Sequence, residues 1–129
     1  MTGLSIGTYI DEKIGGSPEL ATLIGEKFFP ISTRMEVEFP FVVYQRIELS
    51  PDYTKDLLSG DTVNVAFISA SDKHNQSIEV AEAVRSIFDG KRARKYGITD
   101  IKLISATEDL QEGTFTQCLI FSFKMDINN

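Results

Sequence analysis

His74 is the single histidine of the chain, and it stands among Asp72, Lys73 and Asn75. A histidine acting as a general base needs a nucleophile to deprotonate and an acid to orient its ring. Nothing adjacent in sequence supplies both, so its plain reading is a solvated residue in the first turn of a helix. Cys118 is the single cysteine. It falls in an alternating segment, where a thiol packs as a small hydrophobe; a nucleophilic thiolate needs a base and electropositive surroundings. Carboxylates gather as Glu36/Glu38, Glu79/Glu82 and Glu108/Asp109/Glu112. Glu36 and Glu38 are two apart on an extended stretch and can share a face, which suits acid–base work or an oxygen-liganded cation. The same spacing is commonly a solubilising edge. Gly15-Gly16-Ser17 lacks the lysine of a phosphate loop and the G-x-G-x-x-G spacing of a dinucleotide fold. No nucleophile elbow, zinc pattern or calcium loop is present. The chain reads as a binding or structural domain, not an enzyme, with no cofactor and no metal expected.

The one basic cluster is Lys91, Arg92, Arg94 and Lys95, followed by Tyr96. Such a run can contact phosphate while the tyrosine stacks on a base. It also complements a helix C-terminus, or docks an acidic neighbour. The balance of the whole chain favours a solvated loop or a docking patch over nucleic acid: 13 Lys+Arg against 19 Asp+Glu give a formal charge of −6, whereas a general nucleic-acid binder carries a basic excess. One cysteine excludes an internal disulfide framework, and one histidine excludes a two-histidine metal site within the chain. The chain has 129 residues, 42% of them hydrophobic. That is enough for one domain, expected to span 1–129, with a core that needs no covalent staple. Met1 to Ile10 lacks the basic and apolar regions of a signal peptide, and no run approaches the ~18–20 apolar residues of a membrane span. The expectation is a soluble product of a cytoplasm with no membrane partner.

The elements that position these residues follow from periodicity. Ile6, Ile10 and Ile14 are spaced as on a helix, which Gly15 and Gly16 end. Ser17-Pro18-Glu19 starts a second, short helix closed by Gly25. Phe28 to Ser32 reads as a short extended piece, at an edge because Pro30 has no N–H to donate. After Pro40, Phe41 to Leu49 reads as a strand. Phe41, Val43, Ile47 and Leu49 form its buried face; Val42, Tyr44, Arg46 and Glu48 form a mixed one. Ser50 to Asp61 reads as a long polar connection, and long ordered loops are often functional. It carries Tyr53, an amphipathic anchor, with Leu57 and Leu58 as apolar residues for a partner. Equally, those leucines can cover the edge of their own core. Thr62 to Ala70 is the next strand, with Val63, Val65 and Phe67 on one face.

Ser71 or Asp72 caps a helix running to about Asp89. Its inner arc is Val80, Ala81, Ala83, Val84, Ile87 and Phe88, and its outer arc Glu79, Glu82, Arg85, Ser86 and Asp89. Ile98 to Leu110 and Thr114 to Ile127 are strands, the last alternating through Leu119, Phe121, Phe123 and Met125. The order predicts an α+β fold. It is a mainly antiparallel sheet of about four to five strands, with an N-terminal helix and one long amphipathic helix packed on one face.

Phe39-Pro40-Phe41-Val42-Val43-Tyr44 resembles the proline-led strand of small tail-completion, or tail-terminator, proteins of long non-contractile tailed phages. Leu20 to Gly25 and Phe28-Phe29-Pro30 resemble the short helix and following piece of that family. Thr62 to Ser71, Val80 to Arg85, and Glu112 to Gln117 with Leu119 to Phe123 follow its order. The resemblance covers nearly the whole chain and rests on order and spacing; the Met35 to Glu38 insert and the Lys91 to Lys95 run depart from it. It implies a virion protein at the head-proximal end of the tail, assembled in a host bacterial cytoplasm and encoded by a phage or prophage. Such proteins act as rings, commonly hexameric, that contact the tail tube protein and the head connector protein and let DNA pass. No catalytic residue is carried over. The nearest alternatives are another head–tail connector or minor tail component, and a non-phage ligand-binding domain. For a ring, an acidic chain with one basic run offers two unlike patches for a subunit contact, and an acidic lumen would repel DNA phosphate.

Overall fold

The computed structural model describes residues 2–30, 38–54 and 57–126, without the side chains of Thr54 and Leu57. Ile31 to Val37, which include Ser32 and Glu36, lie outside the described residues, as does Ile127. A turn of 3₁₀ helix at Gly3–Ser5 leads into α1, Ile6–Gly15, whose Ile6, Ile10 and Ile14 are buried together with Tyr9. In α2, Pro18–Ile24, the Leu20 N–H donates to the Ser17 hydroxyl at 3.3 Å and proline occupies the first turn, as helix starts favour. The remaining elements are β1 (Phe28–Pro30), β2 (Phe41–Thr54), β3 (Leu57–Ser71), α3 (His74–Phe88), β4 (Ile98–Gln111) and β5 (Thr114–Asp126). The five strands form one sheet in the order β1-β2-β3-β5-β4. β1 is parallel to β2; every other pairing is antiparallel. The α+β expectation therefore holds.

The helices cover one face of this sheet. Val63, Val65 and Phe67 of β3 and Phe121, Phe123 and Met125 of β5 are fully or almost fully buried against Tyr9 and Ile10 of α1 and Val80, Val84 and Phe88 of α3. Phe88 is the hub of the aromatic packing. Its ring centroid lies 4.9 Å from Phe67, 5.9 Å from Phe123 and 6.1 Å from Tyr9. α3 has its inner and outer arcs where the 3.6-residue period puts them. Its start differs: neither Ser71 nor Asp72 is the cap. The helix opens after Lys73, and the Ser71 hydroxyl accepts the Lys73 N–H at 3.0 Å while donating to Gln76.

Two expectations are corrected. The first is the face of β2: Val42 is fully buried and Tyr44 packs against the core, whereas Ile47 is 47% exposed. The first half of the strand turns Val42 and Tyr44 toward the core. A bulge between Arg46 and Glu48 then inverts the alternation, so Leu49 packs against the core, and a strict period of two assigned every side chain across the bulge to one parity. The second is the polar connection from Ser50 to Asp61. Its described residues are strand: Ser50 to Thr54 belong to β2 and Leu57 to Asp61 to β3, and the two stay paired through Thr54 and Leu57. Asp61, the last residue of that expected connection, is buried, and its carboxylate accepts the Gly3 N–H at 2.9 Å. That bond fastens the N-terminal turn to the sheet.

β4 is an outer strand, and part of its open edge is covered. The Asp89 carboxylate accepts the Leu103 N–H at 3.1 Å beside a bulge between Leu103 and Ser105, and the Gly90 N–H donates to the Ile101 carbonyl at 2.8 Å. These bonds occupy backbone groups that an edge strand otherwise presents for pairing. Leu103 and the Arg85 guanidinium, at 3.1 Å, hold the Asp89 carboxyl below its ordinary pKa.

Candidate protein–protein interface

Strand order brings together two groups that lie some forty residues apart in sequence. The β2–β3 hairpin end carries Tyr53 and Leu58, 65% and 40% exposed. Leu57 lies on β3 beside them. The same end of β3 pairs with the end of β5, Gly60 opposite Asp126, and the end of β5 pairs with the start of β4. The basic segment leads directly into that start. One cleft is lined by Arg92, Arg94 and Thr99, and the neighbouring one by Asp52, Tyr53, Thr99 and Lys124. Thr99 is common to both, so the hairpin end and the basic segment form one continuous surface.

The basic segment is held rigidly at its base. Ala93 and Ile98 exchange two backbone hydrogen bonds, at 2.9 and 3.0 Å, across a turn of 3₁₀ helix at Arg94–Tyr96. Gly97 closes the turn with φ +75°, and the Asp126 N–H donates to its carbonyl at 2.8 Å. The Tyr96 ring packs edge-on against buried Tyr9, 5.3 Å between centroids. From this base Lys91, Arg92, Arg94 and Lys95 all point to solvent. Among the described residues, Lys95 reaches Glu12 only at 3.9 Å, and Lys91, Arg92 and Arg94 make no ion pair. Unpaired guanidinium groups on a fixed turn suit a carboxylate or phosphate partner.

His74 lies at the opposite end of the sheet. Its Nε2 is 2.7 Å from Glu108 Oε2, and the Gln117 amide donates to the same oxygen at 2.7 Å. The Gln117 amide first, and His74 second, hold the Glu108 carboxyl below its usual pKa. The Ser77 hydroxyl donates to the His74 backbone carbonyl at 2.7 Å and accepts from the Gln117 amide at 3.2 Å. The cluster is a clasp between the start of α3 and the β4–β5 hairpin. Burial pushes the Cys118 thiol upward, with a bond to Thr107 opposing in part, so a reactive thiolate is disfavoured there. The described residues contain no group of three or more His, Cys, Asp or Glu placed to hold a metal. No helix among them is long and apolar enough to cross a membrane.

Sequence reasoning missed part of this surface and a second, separate one. Thr99 and Lys124 join the first only because β4 and β5 are neighbours. The separate surface is a groove between α2 and α3, lined by Glu19, Leu23, Glu79 and Glu82. Glu79 and Glu82 had stood out as a pair, but Glu19 comes to them only through helix packing.

No family model matches the chain, and no curated protein matches it by sequence. Among solved structures, it is similar to a chain of one described as "Virion of native gene transfer agent (GTA) particle". The TM-score is 0.77 at 12% identity, and the match covers 91% of each chain. At that identity the shared property is the fold.

Proposed function

We propose that this chain is a structural protein of a phage or phage-like virion that completes the tail tube and joins it to the head connector as an oligomeric ring. The observation that carries the reading is the fold shared with a chain of a gene transfer agent virion over 91% of both chains. The tail-completion assignment is the finer part, and it rests on the Phe39 to Tyr44 block and on the order of the segments around it. The surface supports a role in assembly. An exposed aromatic and an exposed leucine adjoin unpaired cations on a rigid base, the combination that anchors protein contacts. Tyr53, Leu57 and Leu58 face the tube or the connector, and Lys91, Arg92, Arg94 and Lys95 meet acidic groups of a neighbour. The protein breaks no bond: its work is done by shape and charge.

Deleting the gene from its phage or prophage tests this. The expected product is separate heads and tails that join when purified protein is added back to the lysate. Complete particles in the deletion strain contradict the reading. Heads lacking packaged DNA would place the protein in a different step of assembly.

A further inference from the structure

Among the described residues, two charged surfaces of opposite sign have no ion-pair partner. The carboxylates of Glu19, Glu79 and Glu82 line the groove between α2 and α3, with Leu23 among its walls. Among the described residues none of the three has a hydrogen bond or ion pair. Several other acidic side chains are engaged, among them Glu108 with His74 and Gln117, Asp89 with Arg85, Asp100 with Lys102, and Asp52 with Thr62; the three of the groove differ in lining one concave surface together. On the basic side, Arg92 and Arg94 form one wall of an open cleft and are equally unpaired.

The placement of the two surfaces matters as much as their sign. α2 leads through Gly25 to Lys27 directly into β1, one outer strand of the sheet; the basic segment leads directly into β4, the other outer strand. Glu79 and Glu82 lie on α3, which packs on the inner strands β3 and β5, and the basic segment follows α3 into β4, so the two are separate patches of unlike charge on one subunit. A contact between unlike patches is heterologous and propagates from copy to copy until it closes.

We infer that Arg92 and Arg94 of one copy seat in the Glu19/Glu79/Glu82 groove of a second copy of this chain. The contact rests on the ring reading above and names the surfaces that make it. Guanidinium groups pair with carboxylates in a fixed fork geometry, and Leu23 supplies apolar area beside the charges. Opposite potentials on the two patches also speed encounter and suppress the wrong register, since basic-to-basic and acidic-to-acidic approaches repel.

Charge swapping tests it. Arg92→Glu with Arg94→Glu makes both patches of a subunit acidic; Glu79→Lys with Glu82→Lys makes both basic. All four positions are exposed on the surface, and circular dichroism with thermal melting checks that each variant folds. Self-association is followed by sedimentation velocity at low and high salt. The wild type is expected to associate and to weaken as salt rises. Each variant alone is expected to associate roughly tenfold or more weakly. An equimolar mixture of the two is expected to recover association, because every contact in an alternating assembly pairs opposite charges. Wild-type association by either variant, or no recovery in the mixture, overturns this contact and leaves the ring reading standing. A wild type that stays monomeric at all concentrations and salts overturns both. If R92E/R94E self-associates normally but loses retention on double-stranded DNA, the basic surface belongs to nucleic acid and the contact is overturned.

Discussion

Gly90 and Gly97 have nearly the same backbone conformation, φ +73° and +75°, and bracket the basic segment. An added Cβ at Gly90 meets nothing within 4 Å, whereas at Gly97 it would lie 2.6 Å from the Asp126 carbonyl oxygen. The two alanine substitutions therefore share one cost and differ in another. A left-handed alanine costs about 1–2 kcal/mol, which is all that Gly90→Ala incurs. Gly97→Ala must also push the end of β5 away and weaken the 2.8 Å bond from the Asp126 N–H to the Gly97 carbonyl. Losing that bond costs about 0.5–1.5 kcal/mol, and with the residual crowding the total is about 2–4 kcal/mol. At roughly 4 °C per kcal/mol for a domain of this size, the melting temperature falls by about 4–8 °C for Gly90→Ala. For Gly97→Ala it falls by about 8–16 °C. Circular dichroism melts of the two variants and the wild type read the difference. Equal losses would refute the claim that the contact between Gly97 and β5 fixes the base of the basic segment.

Phe88→Ala removes the ring shared by Phe67, Phe123 and Tyr9 and is expected to cost about 3–5 kcal/mol in denaturant unfolding; Ile47→Ala, on an exposed side chain, is expected to cost well under 1 kcal/mol. Asp89→Ala uncovers the Leu103 N–H and releases Arg85, at about 1 kcal/mol after discounting for solvent screening. Because the Asp89 pKa is depressed below 3.8 in the folded state, its contribution is fully present above that value. It is lost as pH falls through the folded pKa, so wild type and variant converge in unfolding experiments at low pH.

The features legible in the sequence are those with an uninterrupted period. α3 has a complete apolar arc from Val80 to Phe88, and β5 alternates cleanly from Leu119 to Met125, so both elements and their buried faces follow from counting. β2 was legible as a strand but not in its facing. The bulge between Arg46 and Glu48 inserts one residue, and no side chain there announces it. Ser50 to Asp61 reads as a loop because serine, proline, aspartate and glycine are turn residues by local propensity. Ser50 to Thr54 and Leu57 to Asp61 are strand because the hairpin pairing and the bond from the Gly3 N–H to Asp61 outweigh that propensity. The candidate interface was half legible. Tyr53, Leu58 and the basic run stand out by composition, yet their meeting at Thr99 follows from the strand order β2-β3-β5-β4. The groove of Glu19, Glu79 and Glu82 depends on the packing of α2 against α3. Long-range pairing of that kind has no local signal.

The most direct test of the building-block account is electron microscopy of purified tail tubes from the host phage or prophage, incubated with gold-labelled protein. The account predicts ring-shaped density and label at one end only, the end that joins the head, with little bound along the tube wall. Label spread along the wall, at the distal tip, or absent from the tubes altogether would contradict it.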